Sequence, residues 1–213
     1  MHMHTISDIR LLHRIAVNAS VDIVNAVTPG DLDRPTPCTG WNLSDLLTHM
    51  TVQHRGFAAS ARGAGADLAV WQPATVADAV KTDPAGAYAS AAADVLDAFS
   101  AGNVLDATFA LPEFGSDATF PGGMAIGFHF VDYVVHGWDV ARTIGIPFQP
   151  RADVVAAALP LVLAVPEGEF RDMEGAAFGH AITGVDPASD LDRILLHLGR
   201  SPGWTPTTPD ASA

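Results

Sequence analysis

Phe128-His129-Phe130-Val131-Asp132-Tyr133-Val134-Val135-His136-Gly137-Trp138-Asp139 is an almost wholly apolar stretch that carries four ionisable side chains besides its tyrosine. On a helix at 100° per residue, Asp132 and His136 lie about 40° apart and one turn removed, and His129 lies about 20° from His136, two turns away. A buried carboxylate is costly unless it is paired or bound to a cation. The pattern therefore fits either a hydrogen-bonded Asp132–His136 pair or a divalent metal, which would need a third ligand from elsewhere.

This stretch lies in the middle of a predicted helix over residues 124–143, which is apolar nearly all round and should be the most buried element. Helical periodicity predicts further helices over residues 5–28, 42–62, 84–100, 152–165 and 188–199, with one short extended run at 107–111. The predicted fold class is all-α. We expect a helical bundle over residues 5–150, a C-terminal extension packed on it over 151–204, and a disordered tail over 205–213.

The helix over residues 42–62 offers two candidates for the third ligand. Asn42 is a good N-cap, and the apolar stripe that includes Leu46 and Met50 also includes His54 near its centre. His49 lies roughly 100–120° from the stripe centre, at its edge. Periodicity alone favours His54, but a metal between helices can be approached from the flank of a stripe. Spacing therefore leaves the choice open.

Composition narrows the function classes. The 213 residues include 24 acidic and 11 basic ones, for a net charge of −13, and no basic cluster offsets this, so we expect no nucleic-acid partner. The longest apolar run, 154–165, contains Pro160 and is too short to span a membrane. A single cysteine, Cys38, excludes an internal disulfide, and the N-terminus has no apolar signal region; both features predict a cytoplasmic protein.

Two motifs carry a family resemblance. Pro37-Cys38-Thr39-Gly40-Trp41-Asn42-Leu43-Ser44-Asp45-Leu46-Leu47-Thr48-His49 resembles the first metal motif of the DinB-like, mycothiol-dependent maleylpyruvate isomerase N-terminal family, and Asp132-Tyr133-Val134-Val135-His136-Gly137-Trp138-Asp139-Val140-Ala141 resembles the second. The chain is most similar to the actinobacterial metal-binding branch, whose members end in a leucine-rich helix followed by Gly-Arg-x-Pro, here Leu195-Leu196-His197-Leu198-Gly199-Arg200-Ser201-Pro202. The resemblance covers about residues 8–204 and implies a DinB-like four-helix bundle with a short mixed C-terminal extension.

The resemblance also implies a site. It assigns the metal to His49, Asp132 and His136, and it leaves His54 as a structural residue. Asp132 departs from the family motif, because the isomerase has Glu at this position. The shorter side chain implies that the metal lies closer to the helix of Asp132 or binds more weakly. The candidate catalytic residues are His129, as a fourth ligand, proton shuttle or ordinary polar residue, and Asp139, which could orient a ligand histidine or act as a base. Cys38 is interpreted as a packing residue.

Two histidines and one carboxylate leave coordination positions open, as in catalytic metal sites. Zinc is the expected metal, with nickel, iron and manganese as alternatives. The leading hypothesis is a metal-dependent transferase or isomerase that uses mycothiol or another small thiol against a small electrophilic substrate. The alternatives are a hydrolase that activates water with His129 or Asp139 as base, and a non-catalytic metal- or ligand-binding bundle closed by His129. The expected partners are the substrate and the thiol, with the chain a monomer or homodimer.

Overall fold

The computed structural model describes residues 8–172 and 178–206, and over these ranges the chain is mainly helical. The elements are α1 (Arg10–Val24), α2 (Leu43–Ala61), α3 (Ala77–Thr82), α4 (Pro84–Ala98), β1 (Thr108–Ala110), β2 (Thr119–Pro121), α5 (Gly122–Ile144), α6 (Ala152–Leu163) and α7 (Asp190–His197). The strands form one antiparallel pair, the only sheet among the described residues. The all-α prediction is confirmed.

Four long helices form the bundle. Helices α1 and α2 each pack against both α4 and α5, so each long helix has two neighbours. Almost all of α5 is buried, as its apolar sequence predicted. Leu46 and Met50 of α2 and Tyr133 and Val140 of α5 meet in one core cluster. Helix α5 is therefore the central element, and its polar residues must find partners inside the protein.

The start of α2 is determined locally. The Asn42 side chain accepts a hydrogen bond from the Asp45 backbone N–H (2.9 Å), and the Asp45 carboxylate accepts one from the Asn42 N–H (3.1 Å). This capping box satisfies two helix-terminal donors that would otherwise lack a helical partner. The N-cap predicted at Asn42 is confirmed, and it sets the register of the helix that carries His49.

Three elements differ from the sequence prediction. Helix α1 begins at Arg10 rather than at residue 5, although residues 5–7 lie outside the described range. Helix α3 forms in a segment that periodicity left unassigned, because its six residues are too few to give a periodic signal. Strand β2 pairs with β1, as Phe120 opposite Phe109, in a region predicted to be irregular; such pairing depends on contacts between separate segments.

Pro160 lies inside α6 without ending it. A proline removes one helical hydrogen bond, and Pro160 lies on the exposed side of α6 in its last turns. Of the tail predicted to be disordered, residues 207–213 lie outside the described ranges. The predicted division near residue 150 stays a prediction.

Helices α6 and α7 cover one face of the bundle. Their apolar side chains share a second core cluster with α1 and α5, which includes Val134, Trp138, Val154, Ala158, Ile194 and Leu195. The Arg171 guanidinium donates hydrogen bonds to the carbonyls of Gly179 and His197 (both 2.7 Å), which holds the chain before α7 in place. Gly199, with φ of 77°, then turns the backbone after α7, and Arg200 is buried.

None of the helices within the described ranges is long and apolar enough to cross a membrane.

Candidate metal centre

The three predicted metal ligands lie together between α2 and α5. Asp132 Oδ1 is 3.3 Å from His136 Nε2, and Asp132 Oδ2 is 3.9 Å from His49 Nε2. Each residue offers one ligand atom, and these three atoms lie within 4.8 Å of one another. The rings of His49 and His136 meet edge to face, with centroids 5.3 Å apart. The aspartate therefore reaches both histidines despite its short side chain.

The donor set suits a divalent cation such as zinc. Zinc bonds to imidazole nitrogen and carboxylate oxygen are about 2.1 Å long, which places neighbouring tetrahedral ligand atoms roughly 3.4 Å apart. The separation of Asp132 Oδ1 from His136 Nε2, 3.3 Å, is close to that value, and all three ligand atoms lie within 4.8 Å of one another. The His49 and Asp132 side chains are 24% and 18% exposed, whereas that of His136 is 3% exposed. The cluster is thus mostly buried, with His49 and Asp132 partly exposed to solvent and His136 enclosed.

The charges of the site call for a cation. Burial lowers the pKa of His49 to about 4, against the attraction of Asp132, so His49 is neutral and able to coordinate. Burial also acts to lower the pKa of His136, but the carboxylates of Asp132 and Asp139 raise it well above its usual value. Either a proton or a divalent metal can supply the positive charge that two carboxylates around one buried imidazole demand.

Asp139 fixes the orientation of His136. Its Oδ2 atom lies 2.9 Å from His136 Nδ1, and a carboxylate can only accept there, so Nδ1 carries the proton and Nε2 is left to face the metal. This is the usual arrangement of a carboxylate behind a metal-binding histidine. Burial acts to raise the pKa of Asp139, but Arg200 and His136 hold it below its usual value. Asp139 is therefore an ionised orienting residue.

Arg200 and Cys38, neither of which was predicted to belong to the site, both contact Asp139. The Arg200 guanidinium is 3.4 Å from both Asp139 Oδ2 and Cys38 Sγ, and the Cys38 thiol donates to Asp139 Oδ2 at 3.2 Å. Cys38 was interpreted as packing, and Arg200 entered only through the Gly-Arg-x-Pro resemblance. The sequence signal that could have found Arg200 is an arginine directly after the glycine that ends a leucine-rich helix.

Cys38, His136 and Asp139 form a second group whose ligand atoms are close enough to hold a metal. The Arg200 guanidinium, however, already brings a positive charge to both the thiol and the carboxylate. A second cation there would be repelled in a buried, poorly screened environment. We therefore favour the His49–Asp132–His136 group as the metal site.

His129 lies in a different cluster, and of its three predicted roles this position favours the ordinary polar residue. Its Nδ1 is 2.8 Å from His13 Nε2, and its Nε2 is 3.2 Å from His54 Nδ1, so both ring nitrogens are engaged. The physical reason is the distance along the helix axis. His129 and His136 are seven residues apart, a rise of about 10 Å, which is too far for one ion to bridge even when the two side chains share a face. This geometry does not support His129 as a fourth ligand or as a base beside the metal.

His54 belongs to the same buried chain of imidazoles, His13–His129–His54. Its ring stacks on Tyr133 with centroids 4.0 Å apart, and it is fully buried. The centre of the apolar stripe on α2 thus faces the bundle core, whereas His49, at the stripe edge, meets the candidate ligands of α5.

The chain is similar to known proteins over most of its length. Two uncharacterized proteins of Mycobacterium tuberculosis, MT0763 of strain CDC 1551 / Oshkosh and Rv0738 of strain H37Rv, are each 26% identical to the chain over 192 residues, which cover 90% of this chain and 97% of each relative. No solved structure gives a significant match. The family model described as the mycothiol maleylpyruvate isomerase N-terminal domain matches residues 13–141, more than half of the chain. The chain therefore belongs to the mycothiol maleylpyruvate isomerase N-terminal domain family.

Proposed function

We propose that the protein is a metal-dependent transferase or isomerase that activates mycothiol, or a similar small thiol, for attack on a small electrophilic substrate. The observation that carries the proposal is the group of His49, Asp132 and His136, whose ligand atoms lie within 4.8 Å of one another, with His49 and Asp132 partly exposed to solvent. When bound, a divalent metal lowers the pKa of a coordinating thiol. Family membership supports mycothiol as that thiol.

The residues of the ligand group and those behind it have separate roles. His49, Asp132 and His136 would hold the metal, with zinc the expected ion and nickel, iron or manganese the alternatives. Asp139 holds the proton on His136 Nδ1 and keeps that ring in place. Arg200, in turn, keeps Asp139 ionised.

The two alternative functions receive less support. A hydrolase was expected to use His129 or Asp139 as its base, but both are engaged, His129 by two histidines and Asp139 by His136 and Arg200. A closed, non-catalytic metal site was expected to use His129 as fourth ligand, and His129 lies in the other cluster. A transferase or isomerase that activates a thiol at this ligand group is therefore the better-supported hypothesis.

Metal analysis of the purified protein tests the first half of the proposal. We expect His49→Ala and His136→Ala to abolish stoichiometric metal binding while circular dichroism still shows a folded helical protein. His180→Ala is the matched control, because His180 is half-exposed and pairs with Glu167 and Asp172 far from the cluster in sequence. Full metal retention in both site variants would overturn the site.

A thiol-binding experiment tests the second part of the proposal, which is that the metal binds mycothiol. With cobalt in place of zinc, coordination of a thiol adds a sulfur-to-metal absorption band, so we expect mycothiol to produce this band in the wild-type protein. A protein that holds its metal but shows no spectral change with mycothiol would refute the thiol chemistry and leave the metal site intact.

A further inference from the structure

The short helical turn Pro112–Phe114, between the two strands, reaches both helices that carry the metal ligands. The Glu113 carboxylate accepts a hydrogen bond from Gln53 Nε2 of α2 (3.1 Å). The next residue, Phe114, packs its ring against Phe128 of α5, with centroids 5.3 Å apart. Two consecutive residues of one turn therefore join α2 to α5.

These contacts lie one helical turn from the metal ligands. Gln53 follows His49 by four residues on α2, and Phe128 precedes Asp132 by four on α5, so each pair shares a helix face. Because His49 meets His136 while His54 meets His129, the two helices run antiparallel, and both contacts lie at the same end of the cluster. The turn Pro112–Phe114 thus lies at one end of the ligand group, against α2 and α5.

Glu113 is electrostatically coupled to the site. Burial raises its pKa to about 7, and the negative charge of Asp132 on α5 adds to this, while the hydrogen bond from Gln53 on α2 opposes it. The residue nevertheless keeps an exposed surface, so it can exchange protons with solvent. A cation held by Asp132 would offset the contribution of that carboxylate, but the contribution of burial remains.

Gln53 can serve both protonation states of Glu113. Its amide N–H donates to the carboxylate, and its Oε1 atom is buried with no hydrogen-bond partner among the described residues. Because an amide can turn over, the same side chain can also accept a hydrogen bond from a protonated Glu113. Gln53 can therefore hold the Glu113 side chain in place in either state.

We propose that Glu113 is a catalytic residue that accepts the proton of the thiol at its carboxylate. This inference rests on the proposed function and adds the proton acceptor that His129 and Asp139 do not provide. The S–H bond breaks, its proton moves to Glu113, and sulfur forms a bond to the electrophilic carbon. The electron pair displaced from that carbon stays on the substrate or leaving group, which takes the proton back from Glu113, so the step needs no oxidant or reductant.

The test counts the protons released when mycothiol binds to the zinc-loaded protein, by calorimetry near pH 7 in two buffers of different ionisation enthalpy. We expect the wild-type protein to release clearly less than one proton per thiol, because the ionised fraction of Glu113 takes up part of it. Glu113→Gln, with the same shape, should release nearly the full proton at unchanged zinc content, and Glu113→Asp should lie between them. The matched control is Glu169→Gln, another exposed glutamate in a short helical turn.

The outcomes separate the two proposals. If the wild-type protein and Glu113→Gln bind mycothiol and release equal numbers of protons, the role of Glu113 is refuted and the proposed function stands. If neither binds mycothiol while zinc is retained, the thiol function is refuted, and the role of Glu113 falls with it.

Discussion

At the scale of single residues, His136 is the side chain on which the site depends. Its Nδ1 is bonded to Asp139 and its Nε2 lies beside Asp132, so the two ring nitrogens have separate tasks. A histidine held in this way presents its lone pair in one direction and loses little orientational freedom on binding a metal. The affinity of the site for metal should therefore depend on a residue that does not touch the metal.

Asp139→Asn tests this dependence. The variant keeps the shape of the side chain but removes the charge that fixes the Nδ1 proton, so we expect the affinity for zinc to fall roughly 10- to 100-fold. Competition with a chromophoric chelator measures it. Asp172→Asn is the control, since Asp172 forms a comparable pair with His180 (2.7 Å) on the surface. Equal zinc affinity in both variants would contradict an orienting role for Asp139.

At the scale of elements, α2 and α5 form the site, and each has a defined beginning or end. Helix α5 ends at Gly145, whose φ of 76° suits glycine best. Helix α2 begins with the Asn42–Asp45 capping box. Because Cys38 and Trp41 precede this cap directly, the cap also positions the loop that reaches Asp139 and His49.

Asn42→Ala should lower the free energy of unfolding by about 1 kcal/mol, because the backbone N–H of Asp45 in the first turn of α2 loses its acceptor, Asn42 Oδ1. Urea unfolding followed by circular dichroism measures the change. Asn42→Asp keeps a side-chain acceptor at the same position, so its stability should stay close to that of the wild-type protein. A loss of similar size in Asn42→Asp would show that the cap is not the cause.

At the scale of the whole molecule, the C-terminal segment contacts the candidate metal centre through Arg200. Arg200 is buried, lies 61 positions beyond Asp139 in the sequence, and contacts both Asp139 and Cys38. It lies outside the matched family region of residues 13–141. The segment after α7 therefore supplies the charge that balances a buried carboxylate of the bundle.

Arg200→Met should destabilise the protein by about 3 kcal/mol or more, since it leaves the buried Asp139 carboxylate without its guanidinium partner. Arg193→Met is the control: Arg193 is half-exposed and pairs with Asp190, so its loss should change the stability by less than about 0.5 kcal/mol. Denaturant unfolding of both variants gives the comparison. Equal effects would mean that the Arg200 contact contributes no more than a surface ion pair.

The buried chain His13–His129–His54 should make the fold sensitive to acid. Burial lowers the pKa of His13 to about 3 and those of His54 and His129 well below 6.5. Between the unfolded value of 6.5 and the lower folded values, the unfolded chain binds more protons than the folded one. The free energy of unfolding should therefore decrease as the pH falls below 6.5, by up to about 1.4 kcal/mol per pH unit for each histidine.

Urea unfolding at several pH values between about 7 and 5 measures this slope. His13→Gln removes one of the titrating groups and keeps a polar side chain beside His129, so its slope should be shallower than that of the wild-type protein. An unchanged slope in the variant would show that His13 does not cause the acid sensitivity.

Much of the fold follows from the sequence because its helices carry local signals. The cap at Asn42, the apolar continuity of α5 and the one-turn spacing of Asp132 and His136 are properties of single helices, so periodicity could predict them. The pairing of β1 with β2 and the short helix α3 depend on their neighbours, and the sequence carried no comparable signal for them.

The sequence by itself determined the helical class and placed a carboxylate and an imidazole on one face of a buried helix. Only the tertiary structure decided which residues join them, because that depends on how α2 is rotated against α5 and on where distant segments return. Rotation of α2 turns His49 toward the metal ligands and His54 into the core. Axial distance separates His129 from them, and the turn at Gly199 brings Arg200 to Asp139.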